Sequence, residues 1–390
     1  MKKLLSVFLA ATMVVTCFAG CGKKEEGQGG AAAAPEGTQT LVIGGSGPLT
    51  GDNATYGISV KQGAMLAAKE INAAGGVNGT MLEVKFEDDQ ADPAMAVNAY
   101  ATLYDAGMQV SMGATTSAAC ISMSEEANKD GMLMVTPSAS QKEAIKYDNA
   151  FRICFTDPDQ GIYAANFIAE KKIAKKAAMI YDKSNDYSAG IAKNFEEQAA
   201  KVGIEVATKQ AFTDQSNTDF TVQLEAIKAA DVELLFMPIY AQQAAYVLTQ
   251  AKKIGLEVIF FGCDGLDGIL EKIGADNMAA TEGVMLLTPF AADAKDAKTA
   301  AFVSAYKTDY KTTPDQFAAD GYDAVYTIAE AFKASGITDL KDKEFDAKMI
   351  AAMLEITVEG TTGKMTWSKD GEPAKSATAV KIVNGGYVAY

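Results

Sequence analysis

Residues 81–119 read MLEVKFEDDQADPAMAVNAYATLYDAGMQVSMGATTSAA, and the punctuation of this stretch decides the fold. Met81–Phe86 is a short strand-like run. Asp92 followed by Pro93 is an N-cap followed by a residue whose missing N–H goes unmissed in the first helical turn. The helix this opens closes at Gly107, a residue that tolerates the left-handed backbone just past a helix end. Val110–Gly113 is the next strand, and another helix begins near Ser117. Strands joined through helices become parallel neighbours, because each helix carries the chain back to its starting edge.

The same rhythm runs outward in both directions. Upstream, Thr40–Gly44 reads as a strand and Gly57–Ala74 as a helix with Val60, Ala64, Ala67, Ala68 and Ile71 on one face. Downstream come Met132–Thr136, a helix from Ser140, and a strand at Phe151–Phe155. The pattern then restarts, with helices at 160–171, 188–202, 218–230 and 241–254 between strands at 177–181, 204–208, 233–237 and 258–262. Two such runs predict an α/β protein of two doubly wound parallel-sheet lobes. The last third, with strands at 283–288, 363–367 and 377–383 and helices at 295–309, 316–333 and 345–355, is too mixed for a third domain. It is expected to finish both lobes, so that several strands of chain form the hinge. The lobes would comprise 40–156 with about 288–362, and 157–287 with about 363–390.

Composition narrows the function. The 390 residues carry 35 Lys and Arg against 50 Asp and Glu, a net charge of −15. Nucleic acid is excluded as a partner, since phosphate binding needs a basic face. No histidine occurs, which removes imidazole bases, Ser-His and Cys-His nucleophiles and His-ligated zinc. Arg152 is the single arginine, so backbone N–H groups and hydroxyls must do most of the work of holding any small anion. An enzyme is not expected, an extracellular hydrolase least of all, and no cofactor is implied.

The N-terminus is an address. Lys2 and Lys3 precede an uncharged apolar run, Leu4–Phe18, ending in Ala19-Gly20-Cys21. A basic start, a short apolar core and small residues at a cleavage point make residues 1–20 a secretory signal peptide. Residues 21–39 are Gly- and Ala-rich without periodicity, as a flexible tether would be. Cys120, Cys154 and Cys263 are too widely spaced for a disulfide framework or metal site and read as small buried residues.

Several motifs are weak. Gly45–Gly51 fails the dinucleotide spacing and places Pro48 where phosphate would need an N–H. GTTGK at 360–364 lacks the following Ser or Thr of a phosphate loop. Glu87-Asp88-Asp89 reads as a solvated strand end rather than a metal site. Two loops carry more. Gly113-Ala-Thr-Thr-Ser117 and Thr136-Pro-Ser-Ala-Ser140 lie at the carboxyl ends of adjacent parallel strands, where open α/β sheets place ligands. Ser140 and Glu143 fit a capping box, so two helix N-termini would face an anion; ordinary N-capping is the plainer alternative. From the second lobe, Asp264 in Phe-Gly-Cys-Asp-Gly (261–265), Tyr187 and Tyr240 suit an ammonium group. Alone, each would be a turn residue or a packing cap.

These residues resemble the branched-chain amino-acid (Leu/Ile/Val) binding proteins of ABC importers, the type I periplasmic binding protein family in lipoprotein form. The resemblance covers Leu41–Tyr390 and rests on SGPLTGDNATYG (46–57), EINAAGGVNG (70–79), DDQADPAMAV (88–97), MVTPSAS (134–140), DPDQG (157–161) and FGCDG (261–265). It implies that Ser117 and Ser140 hold the ligand's α-carboxylate, with Ser138 and Ala139 in the same loop and the Ser138 carbonyl accepting from the ammonium. Asp264 would be the acidic partner of the ammonium, where the family often has Glu. Tyr56, Tyr187 and Tyr240 match family tyrosines. A disulfide found in some members would need cysteine at Ala91 and Thr116 and is absent. Phe18-Ala-Gly-Cys21 resembles a lipobox with Phe in place of the usual Leu, which implies a lipid on Cys21 and a monomer anchored outside the cell membrane. The partners implied are an amino acid and the importer's permease subunits. The alternatives are a ligand-sensing receptor of the same fold, or another amino acid or amide as ligand.

Overall fold

The computed structural model describes residues 39–375 and 377–390. The leader, Cys21 and all but the last residue of the tether lie outside these residues. In the first lobe the chain forms β1 (Thr40–Gly47), α1 (Ala54–Ala73), β2 (Met81–Asp88), α2 (Pro93–Asp105), β3 (Val110–Ala114), α3 (Ser117–Asp130), β4 (Met134–Thr136) and β5 (Ala150–Arg152). The sheet order is β2-β1-β3-β4-β5, all parallel. Asp92 caps α2 by accepting from the N–H groups of Ala94 and Met95 at 2.8 and 2.9 Å.

The second lobe follows as α4 (Asp157–Glu170), β6 (Lys176–Asp182), α5 (Asp186–Val202), β7 (Glu205–Phe212), α6 (Thr221–Ala229), β8 (Leu234–Met237), α7 (Ala241–Lys253), β9 (Ile259–Gly262), the four-residue α8 (Ile269–Lys272) and β10 (Met285–Thr288). The chain then recrosses. Helices α9 (Ala297–Tyr310), α10 (Gln316–Ser335) and α11 (Phe345–Met353) belong to the first lobe, where α10 lies along α1. A separate antiparallel pair, β11 (Val358–Gly360) and β12 (Gly363–Met365), follows. Residues 366–375 lead out to β13 (Thr378–Val383), which adds antiparallel to β10, and β14 (Gly386–Ala389), which adds antiparallel to β13. The second sheet is ordered β14-β13-β10-β9-β8-β6-β7. The architecture is therefore two doubly wound lobes with several interlobe passages, as the sequence predicts.

The expected helix from Ser140 is absent. Lys142–Ile145 makes a single 3-10 turn, capped by the Gln141 side chain, which accepts from Glu143 N at 2.9 Å. The Ser140–Glu143 capping box does not form. The reason lies in competing donors: a helix there would need the carbonyls of Ala139 and Ser140. The first accepts instead from the Arg152 guanidinium at 2.9 Å, the second from Asp157 N at 2.9 Å. Only one of the two hydroxyl loops therefore opens a helix.

The weak motifs resolve into bracing. Asp88 accepts from Leu49 N, Thr50 Oγ1 and Gln90 N, and Asp89 from Ser46 Oγ and Ala91 N. In GTTGK, both threonines give their N–H and hydroxyl to buried Asp323. Cys120, Cys154 and Cys263 are free thiols, fully buried.

Candidate functional site

The first-lobe half of the site is two loops locked together. Gly113 has φ of +66°, and a Cβ there would stand 3.1 Å from Thr136 Cβ, so glycine lets β3 and β4 end side by side. Thr115 Oγ1 donates to Ser46 O at 3.0 Å, and Thr136 Oγ1 to Ala114 O at 2.9 Å. Ser138 Oγ donates to Thr115 O at 2.7 Å, and Gln141 N donates to Ser117 Oγ at 3.1 Å. Each loop thus holds the other in register. Thr116, at the N-cap of α3, makes no capping bond, and its buried hydroxyl has no hydrogen-bond partner. The first turn of α3 therefore presents uncapped N–H groups together with two hydroxyls, those of Thr116 and Ser117, an arrangement suited to an anion.

The second-lobe half is acidic and aromatic. Asp264, 2% exposed, follows β9; its N–H donates to Gln160 Oε1 at 3.1 Å. The Tyr187 hydroxyl donates to Asp264 Oδ1 at 2.8 Å and accepts from Gly265 N at 2.9 Å. Burial pushes the Asp264 carboxyl up to about 6, against the pull of the Tyr187 hydroxyl. Tyr240 stacks on Tyr187 with ring centres 5.0 Å apart. Tyr56, carried by α1, crosses from the other lobe. Its hydroxyl donates to Gly265 O at 2.6 Å and accepts from Ala241 N at 2.7 Å. Phe317, near the start of α10, packs 4.6 Å from the Tyr56 ring. Asp157 is also fully buried nearby. Both its oxygens lack a partner in bonding geometry, and burial holds its pKa well above the usual carboxylate range.

One cavity brings these together. It is lined by Tyr56, Thr115, Thr116, Ser117, Ser138, Ser140, Tyr187, Tyr240, Asp264 and Phe317. Seven of the eight candidates read from the sequence meet there. Ala139 does not line it, because its carbonyl is turned to Arg152. The sequence reading passed over Thr115, Thr116 and Phe317 as site residues. The threonines had a signal in the run of three hydroxyls, whereas Phe317 arrives on a helix some 200 residues downstream with none. The cavity measures about 20 Å³, room for one water-sized sphere. It adjoins a cleft of about 500 Å³ that shares Tyr187 and Tyr240. Seating an amino acid requires the aromatic side chains or the lobes to part.

Residues 40–387 match the sequence family described as periplasmic binding protein. The chain belongs to that family. Among curated members, the leucine-, isoleucine-, valine-, threonine- and alanine-binding protein of Pseudomonas aeruginosa is 31% identical over 335 residues, covering 85% of this chain and 87% of that one. Among solved structures, the branched-chain amino-acid transporter substrate-binding protein LivJ of Streptococcus pneumoniae, in complex with isoleucine, superimposes with a TM-score of 0.82 at 29% identity. That match covers 90% of this chain and 98% of LivJ. The leucine-binding protein LivK of Thermotoga maritima gives 0.81 at 25% identity, covering 90% and 97%. This periplasmic binding protein is thus a member of a solute-binding family, similar to its branched-chain amino-acid receptors, and its two-lobed α/β architecture is theirs.

Proposed function

We propose that this protein captures an α-amino acid, branched-chain by its relatives, between its two lobes and delivers it to an ABC importer without chemistry. The observation that carries the reading is the split of charge preference across the cavity. One wall offers neutral donors and the start of a 14-residue helix; the other offers buried Asp264 between aromatic faces. A zwitterion satisfies both at once. Its carboxylate takes the Ser117, Thr116 and Ser140 side, and its ammonium takes Asp264 and the Ser138 carbonyl. Tyr56, Tyr187 and Tyr240 pack around it. Closure is a hinge motion in which contacts from both lobes favour the closed state.

The experiment is a thermal-shift and calorimetric screen of the chain from residue 39 onward against amino acids, with leucinamide and 4-methylpentanoate as controls lacking the carboxylate or the ammonium. Binding to the native state alone raises its melting point. Leucine, isoleucine or valine should shift it and neither control should. Equal stabilisation by 4-methylpentanoate would sink the ammonium assignment. Delivery would be seen as loss of uptake on deletion of the protein. We further propose that Cys21 carries a lipid anchor outside the cell membrane, on the lipobox-like Phe-Ala-Gly-Cys. Cys21→Ser should leave the membrane fraction or remain unprocessed; normal processing with equal membrane retention would count against it.

A further inference from the structure

The only arginine of the chain does not line the cavity, yet it grips the loop that forms one wall of it. Arg152 is the last residue of β5, where the chain first leaves the first lobe, and it is 0% exposed. Its Nη1 donates to Ala139 O at 2.9 Å, and Nη2 reaches Lys142 O at 3.5 Å. The other edge of the guanidinium meets Glu372, with Nη2 donating to Oε1 at 3.2 Å and Nε 3.0 Å from Oε2. Glu372 lies on residues 366–375, the last passage between the lobes.

That passage is fastened to Arg152 through the backbone as well. Arg152 N donates to Gly371 O at 3.2 Å, and Trp367 Nε1 donates to Arg152 O at 2.7 Å. One residue on, the buried ammonium of Lys375 donates to Ile153 O at 2.8 Å and lies 3.7 Å from Asp320. A buried guanidinium demands acceptors on all its edges. Here they are the Glu372 carboxylate, the Ala139 carbonyl of the ligand loop and the Lys142 carbonyl of the 3-10 turn after it, with Nε beside Oε2 but out of bonding geometry. The Ala139–Ser140 peptide is planar and trans, so a carbonyl turned to Arg152 sends the Ser140 N–H the opposite way. Ser140 lines the cavity.

We propose that Arg152 and Glu372 form a positioning pair, in which Glu372 on the last interlobe passage orients Arg152 and Arg152 sets the Ala139–Ser140 peptide of the ligand loop. The pair contacts no solute; it presents the loop that does, and it ties that loop to a segment whose path depends on how the lobes sit. The affinity part of the inference rests on the amino-acid reading above, whereas the loop-setting part does not. Lysine cannot replace the arginine, since its donors share one nitrogen, whereas these acceptors are spread around the edges of a planar guanidinium.

The test uses Glu372→Gln, Arg152→Lys and the double variant. In ligand-free protein, hydrogen exchange should quicken about tenfold or more in residues 138–146 and stay unchanged in α7 of the second lobe, to which neither Arg152 nor Glu372 is bonded. Calorimetry with L-leucine should show affinity reduced about five- to fiftyfold in Glu372→Gln, at unchanged stoichiometry. The double variant should be no weaker than Arg152→Lys alone, as expected of residues acting in series. Unchanged exchange in 138–146, or an equal rise everywhere, would overturn the proposal, as would additive losses. If the wild type bound no amino acid, the functional reading would fail while the exchange arm still decided the positioning role.

Discussion

Asp264 concentrates the physics of the site in one residue. Its carboxyl is buried without a cation, and its pKa of about 6 reflects that burial. An ammonium ligand would supply the missing charge and lower that pKa. Binding therefore releases a proton wherever free Asp264 is protonated. The association constant should be flat above about pH 6 and fall towards tenfold per unit below it. Calorimetry in buffers of different ionisation enthalpy should register up to one proton released near pH 5. Asp264→Asn should abolish that release, and Asp264→Ala should weaken binding by roughly 2–5 kcal/mol, about 30- to several-thousand-fold. Ser117→Ala removes one neutral donor to a charged group, a smaller loss of about 1.5–3 kcal/mol. Binding by Asp264→Ala within a factor of about three of wild type would show that the ammonium sits elsewhere.

At the scale of elements, local punctuation was readable and long-range competition was not. The Asp92-Pro93 opening of α2 and the Gly107 just past its end, at φ of +85°, were legible because capping is satisfied within a few residues. The missing helix at Ser140 had equally good local signals; donors on Arg152 and Asp157 took its carbonyls. The closing β13–β14 hairpin was passed over despite Asn384-Gly385, both at positive φ, as its tight turn requires. The packing of α1 against α10 was equally hidden. Gly63 and Gly321 let these helices approach so closely that a Cβ on either would stand 1.9 Å from Ala318 O or 2.3 Å from Val60 O. Backbone cannot step aside as a flexible side chain would. Gly63→Ala and Gly321→Ala should each destabilise by about 1–3 kcal/mol or more, read as a lower melting temperature. Because α1 carries Tyr56 and α10 carries Phe317, both variants should also weaken binding. An unchanged melting temperature would mean that the helices pack less closely than described.

At the scale of the whole molecule, the acidic composition has a consequence that surface charge alone does not convey. Asp89 and Asp264 are both buried and both held near 6, above the unfolded value of about 4. Buried Asp267 and half-buried Asp315, beside the start of α10, are raised by desolvation and, for Asp315, also by repulsion from Asp267. For such groups the folded chain binds more protons than the unfolded chain between about pH 4 and 7. Stability then rises as pH falls through that window, and relief of the net charge of −15 acts in the same direction. The carboxylates held below their usual value, such as exposed Asp219 and half-buried Asp342, titrate lower still. The ligand-free protein should accordingly melt several degrees higher at pH 5.5 than at pH 7.5. The increment added by a saturating amino acid should run the other way, shrinking below pH 6 as Asp264 takes up its proton. Two melting series, with and without leucine, would therefore converge on acidification. A ligand-free melting point that drops between pH 7.5 and 5.5 would show that these carboxylates are stabilised as anions in the fold. A ligand increment constant across the range would show that the bound solute does not depend on the charge of Asp264.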